Sequence, residues 1–170
     1  FVLATMRQWA VPGMAVAVVR DDRVVFARGY GLRESGRDAQ VDADTIFGIG
    51  SMTKSFTAAA AAVLVDDGKL AWDRPLAEVL PGFRLQDPWV TGHATVRDVA
   101  AHRVGVDSDL LWMARGWSGE TTLLRAGYLQ AIGRFGDFLY SNVGTLTLGA
   151  VVEQASGRSW DANVRERLLS

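Results

Sequence analysis

Ile46-Phe47-Gly48-Ile49-Gly50-Ser51-Met52-Thr53-Lys54-Ser55-Phe56-Thr57 runs directly into Ala58 to Ala62 and then Val63-Leu64-Val65. Two glycines punctuate the approach, and from Ser51 onward the residues are strong helix formers. Gly68 follows Asp66 and Asp67, where a glycine commonly ends a helix. The stretch therefore predicts a helix from about Ser51 to Asp67 with Ser51 in its first turn. Residues three apart on a helix share a face, which puts the Lys54 amine beside the Ser51 hydroxyl. A serine hydroxyl is a weak nucleophile until a base takes its proton. A lysine near the positive end of a helix, or one that is buried, is pushed toward being such a base. Met52, Phe56 and the alanines suggest a helix buried on most sides. The bland alternative is a capping serine and a solvated lysine, and one Ser-x-x-Lys does not choose between them.

Composition narrows the field. With 170 residues and 49% hydrophobic content the chain can bury a real core and is not disordered. A net charge of −1 leaves no basic footprint for nucleic acid, and no apolar run approaches a membrane span. There is no cysteine, so disulfides and thiolate metal sites are excluded while the redox compartment stays open. The sequence starts at Phe1 with no basic-then-apolar leader in view, and without an initiator methionine it leaves open that a leader was removed or never included.

Outward from the central stretch, Met14 to Val19 and Val24 to Gly31 are β-rich runs around a short Asp-containing turn, which predicts a hairpin. The first run is apolar on both alternating faces and should be covered on both sides. A hairpin alone is marginal, and nothing after residue 31 offers another strong strand. Residues 32 to 45 are a turn-rich connection. Pro75 opens a short helix over Leu76 to Leu80, stopped by Pro81-Gly82. Residues 83 to 94 look like loop. Thr95-Val96-Arg97-Asp98 resembles a capping box and opens a helix to about His102. Residues 107 to 120, with Trp112 and Trp117, read as loop. Helices are expected over Thr121 to Ile132, over Asn142 or Val143 to Ser156, and from Ser159 onward, still running at Ser170.

Tyr140-Ser141-Asn142 stands at a loop-to-helix junction, as Ser51 does. A tyrosine beside a cation has a lowered pKa suited to proton transfer. The Asn142 amide can donate and accept, which suits it to holding a substrate amide or Lys54. Taken alone, the segment reads sooner as a buried tyrosine and a helix-capping asparagine. Together, Ile49 to Thr57 and Tyr140-Ser141-Asn142-Val143-Gly144 resemble the first two motifs of the serine β-lactamase-related family. That family includes class C β-lactamases, D-alanyl-D-alanine carboxypeptidases and related esterases. Gly13 to Gly31 is similar to the family's opening hairpin. Thr95 to Val106 resembles its Thr-Val-Arg-Asp-Leu-Leu-Ser-His-Thr-Ser-Gly-Leu-type segment, and Leu148 to Gly157 the helix after its tyrosine motif. Thr145, Phe135-Gly136 and His102-Arg103-Val104-Gly105 depart from the family's usual residues at those places.

The resemblance implies a mixed α+β fold of the β-lactamase/transpeptidase kind. Residues 1–45 would supply a sheet-forming hairpin and connection, and residues 46–170 a helical region. It implies acyl transfer by Ser51, with Lys54 and Tyr140 handling the proton, Asn142 binding substrate and the Ser51 backbone N–H serving an oxyanion hole. The substrate would be a small molecule or peptide carrying an ester, amide or β-lactam carbonyl. No metal or organic cofactor is implied, and the oligomeric state is left open. A periplasmic or secreted setting goes with the resemblance, with a cytoplasmic one open. The family's third motif, a Lys or His two positions before a Gly on a later strand, is not found. The chain is therefore expected to be the N-terminal portion of a longer hydrolase, weakly active or inactive by itself.

Rival templates fit less well. Gly-x-Ser-x-Gly is absent, since Gly116-Trp117-Ser118-Gly119 is one residue short. His93 and His102 have no nucleophile elbow to serve, and two histidines without a third ligand are a weak metal signal. His102 is expected to be a helix-end residue. A non-catalytic binding or assembly protein on the same fold is the alternative from another class. Four intact chemical side chains argue against it.

Overall fold

The computed structural model describes residues 1–106, 116 and 118–170. Strands β1 (Gly13–Arg20) and β2 (Arg23–Gly31) pair antiparallel, Gly13 opposite Gly31 and Arg20 opposite Arg23, with an irregularity between Val18 and Val19. The turn is Asp21-Asp22, with φ of 52° and 58°. Positive φ at both central residues is the two-residue geometry whose twist matches paired strands, and aspartate tolerates it. This hairpin was expected. Helix α1 (Val2–Gln8) ahead of it was not.

The hairpin lies in the first of two compact units, Phe1–Ile49; the second is Gly50–Ser170. Within the first, Val41 is buried and its N–H bonds to the Gly31 carbonyl at 2.9 Å. Val18, Val19, Val24, Val25 and Phe26 are exposed. The cover expected on both faces of β1 is thus not supplied among the described residues.

The second unit begins with a 3₁₀ turn, Gly50–Met52, continuing as α2 (Thr53–Asp66). Its end is the expected one: Gly68 is left-handed at φ 70°, and Lys69 N–H returns to Leu64 O at 2.9 Å. Helices α3 (Leu76–Val79), α4 (Pro88–His93) and α5 (Val96–Ala100) follow. Helix α4 corrects the loop expected over 83–94. Its signal was present in Asp87-Pro88: the Asp87 carboxylate accepts the Trp89 and Val90 amides, and proline occupies the first turn, where its missing N–H costs nothing. The expected box on α5 is complete, with Thr95 and Asp98 bonded reciprocally.

Trp112 and the rest of 107–115, together with Trp117, lie outside the described residues. Helix α6 (Gly119–Ala126) is capped by Ser118 and ends at Ala126, six residues before the expected Ile132. There the chain leaves helical geometry; Ala131 bridges to Val106, and the Ile132 and Gly133 amides both bond to the Gly105 carbonyl. Helix α7 (Asn142–Ser156) matches the expectation and stops at left-handed Gly157. Helix α8 (Trp160–Leu168) is capped by Ser159 and ends before Ser170.

Helix α2 packs on α7 and α8, and α5 packs on α7. Ala60, Ala61 and Leu64 of α2 meet Leu148, Val151 and Val152 of α7 in one buried cluster with Val96, Val99 and Val164. Alanines on α2 let these helix axes come close. Trp160 donates its indole N–H to Thr57 Oγ1 at 3.0 Å, tying α8 to α2. Among the described residues no helix is long and apolar enough to cross a membrane.

Candidate active site

The α2–α7 packing brings the starts of both helices together. Gly50, at φ 52°, turns the chain into the 3₁₀ turn that carries Ser51. An L side chain rarely adopts that angle. One turn later Lys54 lies on the same face, and its Nζ donates to Ser51 Oγ at 3.0 Å. From the other segment, the Tyr140 hydroxyl donates to the same oxygen at 2.7 Å, across 89 residues of sequence. The Lys54 ammonium also stands 4.8 Å from the centre of the Tyr140 ring. Hydroxyl, amine and phenol therefore form one connected group.

The group opens to solvent. Ser51 is exposed, Met52 is 67% and Tyr140 45% exposed, and Lys54 and Phe56 are half-buried. This corrects the expectation of a helix buried on most sides at Ser51. The 3₁₀ turn projects past the core, whose buried α2 residues begin at Thr57 and Ala60. The phenol of Tyr140 is held below its ordinary ionisation range. Its interaction with the Lys54 ammonium is the largest cause, followed by the hydrogen bond with Ser51. Both stabilise the phenolate.

Asn142 is the first residue of α7 and is half-buried. It lines, with Lys54, a cavity of about 930 Å³ that runs along α2 and α7 past Thr57, Leu123 and Leu146 to Trp160. Ser51 and Tyr140 are not in its wall, so the cavity adjoins the hydroxyl–amine–phenol group without enclosing it. Ser141 between the two motif residues is fully buried and caps α7, accepting the Gly144 amide at 3.1 Å.

His102 was expected only as a helix-end residue. It does follow α5, yet its ring stacks on Tyr140, with centroids 4.8 Å apart and planes at 28°. Its Nδ1 accepts the Ser141 N–H at 3.0 Å, and its carbonyl accepts the Leu139 N–H at 2.8 Å. Burial, and then the charge on Lys54, lower its pKa. The available signal was its place in the Thr95–Val106 segment, just after a capped helix.

Known proteins resemble this chain over nearly its whole length. The penicillin-binding protein 4 of Amycolatopsis lactamdurans is 32% identical over 94% of this chain and 42% of its own length. The unguisins hydrolase of Aspergillus campestris is 32% identical over 96% of this chain and 32% of its own. Among solved structures, the octameric penicillin-binding protein homologue from Pyrococcus abyssi superposes with a TM-score of 0.86 at 29% identity, covering 99% of this chain and 41% of that one. A class C beta-lactamase superposes at 0.83 with 26% identity, covering 99% and 45%. The chain thus spans less than half the length of each of these proteins. The family model for beta-lactamase matches residues 2–170, and the chain belongs to the beta-lactamase family.

Proposed function

We propose that the protein containing this chain is a serine hydrolase that works through an acyl-enzyme on an ester, amide or β-lactam carbonyl. The observation that carries this is the pair of hydrogen bonds converging on one oxygen, Lys54 Nζ and Tyr140 OH on Ser51 Oγ. A serine needing only a cap has no use for both. Ser51 Oγ attacks the carbonyl carbon while its proton passes to the Lys54–Tyr140 pair. A phenolate stabilised by Lys54 can accept that proton through the same short contact, with the bond reversed. Because the two groups are coupled, the proton belongs to the pair rather than to either residue. The pair then delivers it to the leaving group, the C–O or C–N bond breaks, and an ester on Ser51 remains. Water hydrolyses that ester by the same relay.

Asn142, at the start of α7 beside Lys54, is assigned to hold the substrate's amide or carbonyl side. The Ser51 backbone N–H is assigned as one oxyanion donor. The second donor is expected from the longer protein. Lacking one donor costs about 10²–10³ in kcat, so residues 1–170 alone should react weakly or not at all. Relatives carry names as different as penicillin-binding protein, hydrolase, D-alanine carboxypeptidase and beta-lactamase. The shared element is the acyl transfer, and the choice of acyl donor is left to residues around it.

The test is covalent labelling of the full-length protein with a fluorophosphonate or a penicillin, with the modified peptide read by mass spectrometry. The adduct is expected on Ser51 and should vanish in Ser51→Ala. Labelling that survives Ser51→Ala defeats the assignment.

A further inference from the structure

His102 holds the tyrosine segment at three points. Its carbonyl takes the amide of Leu139, its ring nitrogen takes the amide of Ser141, and its ring lies against the side chain of Tyr140 between them. The two amides flank the phenol on both sides in sequence. Phe138 adds an edge contact, with centroids 5.8 Å apart. All this comes from a residue with φ of 58°. Left-handed geometry is uncommon outside glycine, although histidine, like asparagine, tolerates it better than most, and it persists where surroundings over-determine it. The Ser141 amide also needs such an acceptor. Ser141 is the cap residue of α7, ahead of the helical ladder, and is fully buried. Tyr140, by contrast, is 45% exposed, so the surrounding core does little to fix its orientation.

We propose that His102 is a positioning residue: its neutral ring, with Nδ1 as acceptor and the proton on Nε2, holds the Tyr140 phenol on Ser51. This rests on the proposed role of Ser51 and Tyr140. An N–H donor aimed at Nδ1 requires that nitrogen to be bare. A second proton on the ring would set two donors against each other and release Ser141. It would also place a cation near Lys54 of α2. The other charged groups of its own segment are engaged elsewhere: Arg97 with the Asp73 carboxylate, Asp98 with the Thr95 hydroxyl and amide, and Arg103 with the Gly136 carbonyl. Burial and the Lys54 charge, which lower the His102 pKa, act in the same direction. Acid is therefore expected to unseat the phenol.

Two readouts test this. The chain has two histidines, so a ¹⁵N-histidine spectrum separates them readily. At neutral pH His102 should be the Nε2–H tautomer, and the Ser141 amide shift should follow its titration. An Nδ1–H or doubly protonated ring at neutral pH overturns the proposal. The second readout is the rate of Ser51 labelling in the full-length protein. His102→Leu removes the acceptor and should slow labelling about 10²-fold, the scale of a misplaced catalytic group. His102→Asn keeps a carbonyl acceptor and tolerates the left-handed angle, and should stay within about tenfold of wild type. The part of the pH–rate profile that coincides with the His102 titration should be lost in His102→Asn. Equal slowing in both variants, or a profile unchanged by His102→Asn, overturns the proposal. If His102→Leu does not fold, the spectrum and His102→Asn decide. A wild-type protein unlabelled at Ser51 would defeat the hydrolase reading instead, and the tautomer would still decide the His102 arrangement.

Discussion

Tyr140 and Lys54 meet Ser51 on an open face, so their electrostatics are set by each other more than by burial. The lowered ionisation of the Tyr140 phenol has Lys54 as its largest cause. Lys54→Met keeps most of the stem and removes the charge. Ultraviolet titration of wild type should show a phenol ionising below the ordinary range, and in Lys54→Met that early component should move back up. The sign for activity follows. The phenolate is the form that accepts a proton, so Ser51 labelling should fall as pH drops through the lowered value. In Lys54→Met the remaining activity should need a higher pH. An early phenol that persists without Lys54 would mean that the ammonium is not its cause. The contact between Ser51 and Lys54 was legible from spacing, because a three-residue step on a helix has one geometric meaning, although the spacing alone did not choose a role for the pair. Tyr140 and Asn142 became legible only through the second motif, since no periodicity links positions 51 and 140. The stacked ring of His102 and its left-handed backbone were not legible. They depend on a contact with a segment 39 residues away, and a lone histidine after a helix carries no mark of it.

The cap at Thr95 and the stop at Gly157 were placed as expected, whereas the Asp87-Pro88 cap of α4 was passed over as loop. The Thr95–Asp98 box was readable, and it matters to the site because α5 leads into His102 two residues after its end. Thr95 Oγ1 accepts the Asp98 amide and donates to its carboxylate at 2.6 Å. Thr95→Ala removes both bonds and should cost about 1 kcal/mol, the usual size of a lost N-cap. Urea denaturation followed by tryptophan fluorescence would read it as a lower midpoint with an unchanged slope. A midpoint equal to wild type would mean that α5 is held without the Thr95 side chain, by packing of Val96 and Val99 and by its remaining backbone bonds. The α6 boundary was misjudged for a different reason. Residues 127–132 carry helix formers such as Leu129, Gln130 and Ala131, but the Gly105 carbonyl claims the amides of Ile132 and Gly133. A tertiary hydrogen bond therefore overrides local propensity. Gly105 is itself left-handed, and a Cβ there would lie 2.5 Å from the Gly133 carbonyl, a closeness that spacing along one segment cannot reveal.

The two units of the molecule differ in how much of their apolar surface they bury. The second has a continuous core from α2 through α7 to α8, with Ala61, Leu64, Val151 and Val152 all removed from solvent. The first rests on a two-stranded sheet whose Val18, Val19, Val24, Val25 and Phe26 remain exposed. The alternation-free apolar pattern of β1 was the signal for cover on both faces, and the described residues do not supply it. A two-stranded hairpin is marginal without such cover, whereas helices packed through a shared core open together and at higher cost. Amide hydrogen exchange of the 170-residue chain should therefore separate the units. The ladder amides of β1 and β2 should exchange at least about a hundredfold faster than those of Leu64, Val151 and Val152, because their opening exposes little that is not already exposed. The two sets should also part under mild urea, with the hairpin losing protection first. Equal protection in both would mean that the hairpin opens only with the whole chain. Its exposed valines would then not be the weak point that this reading makes them.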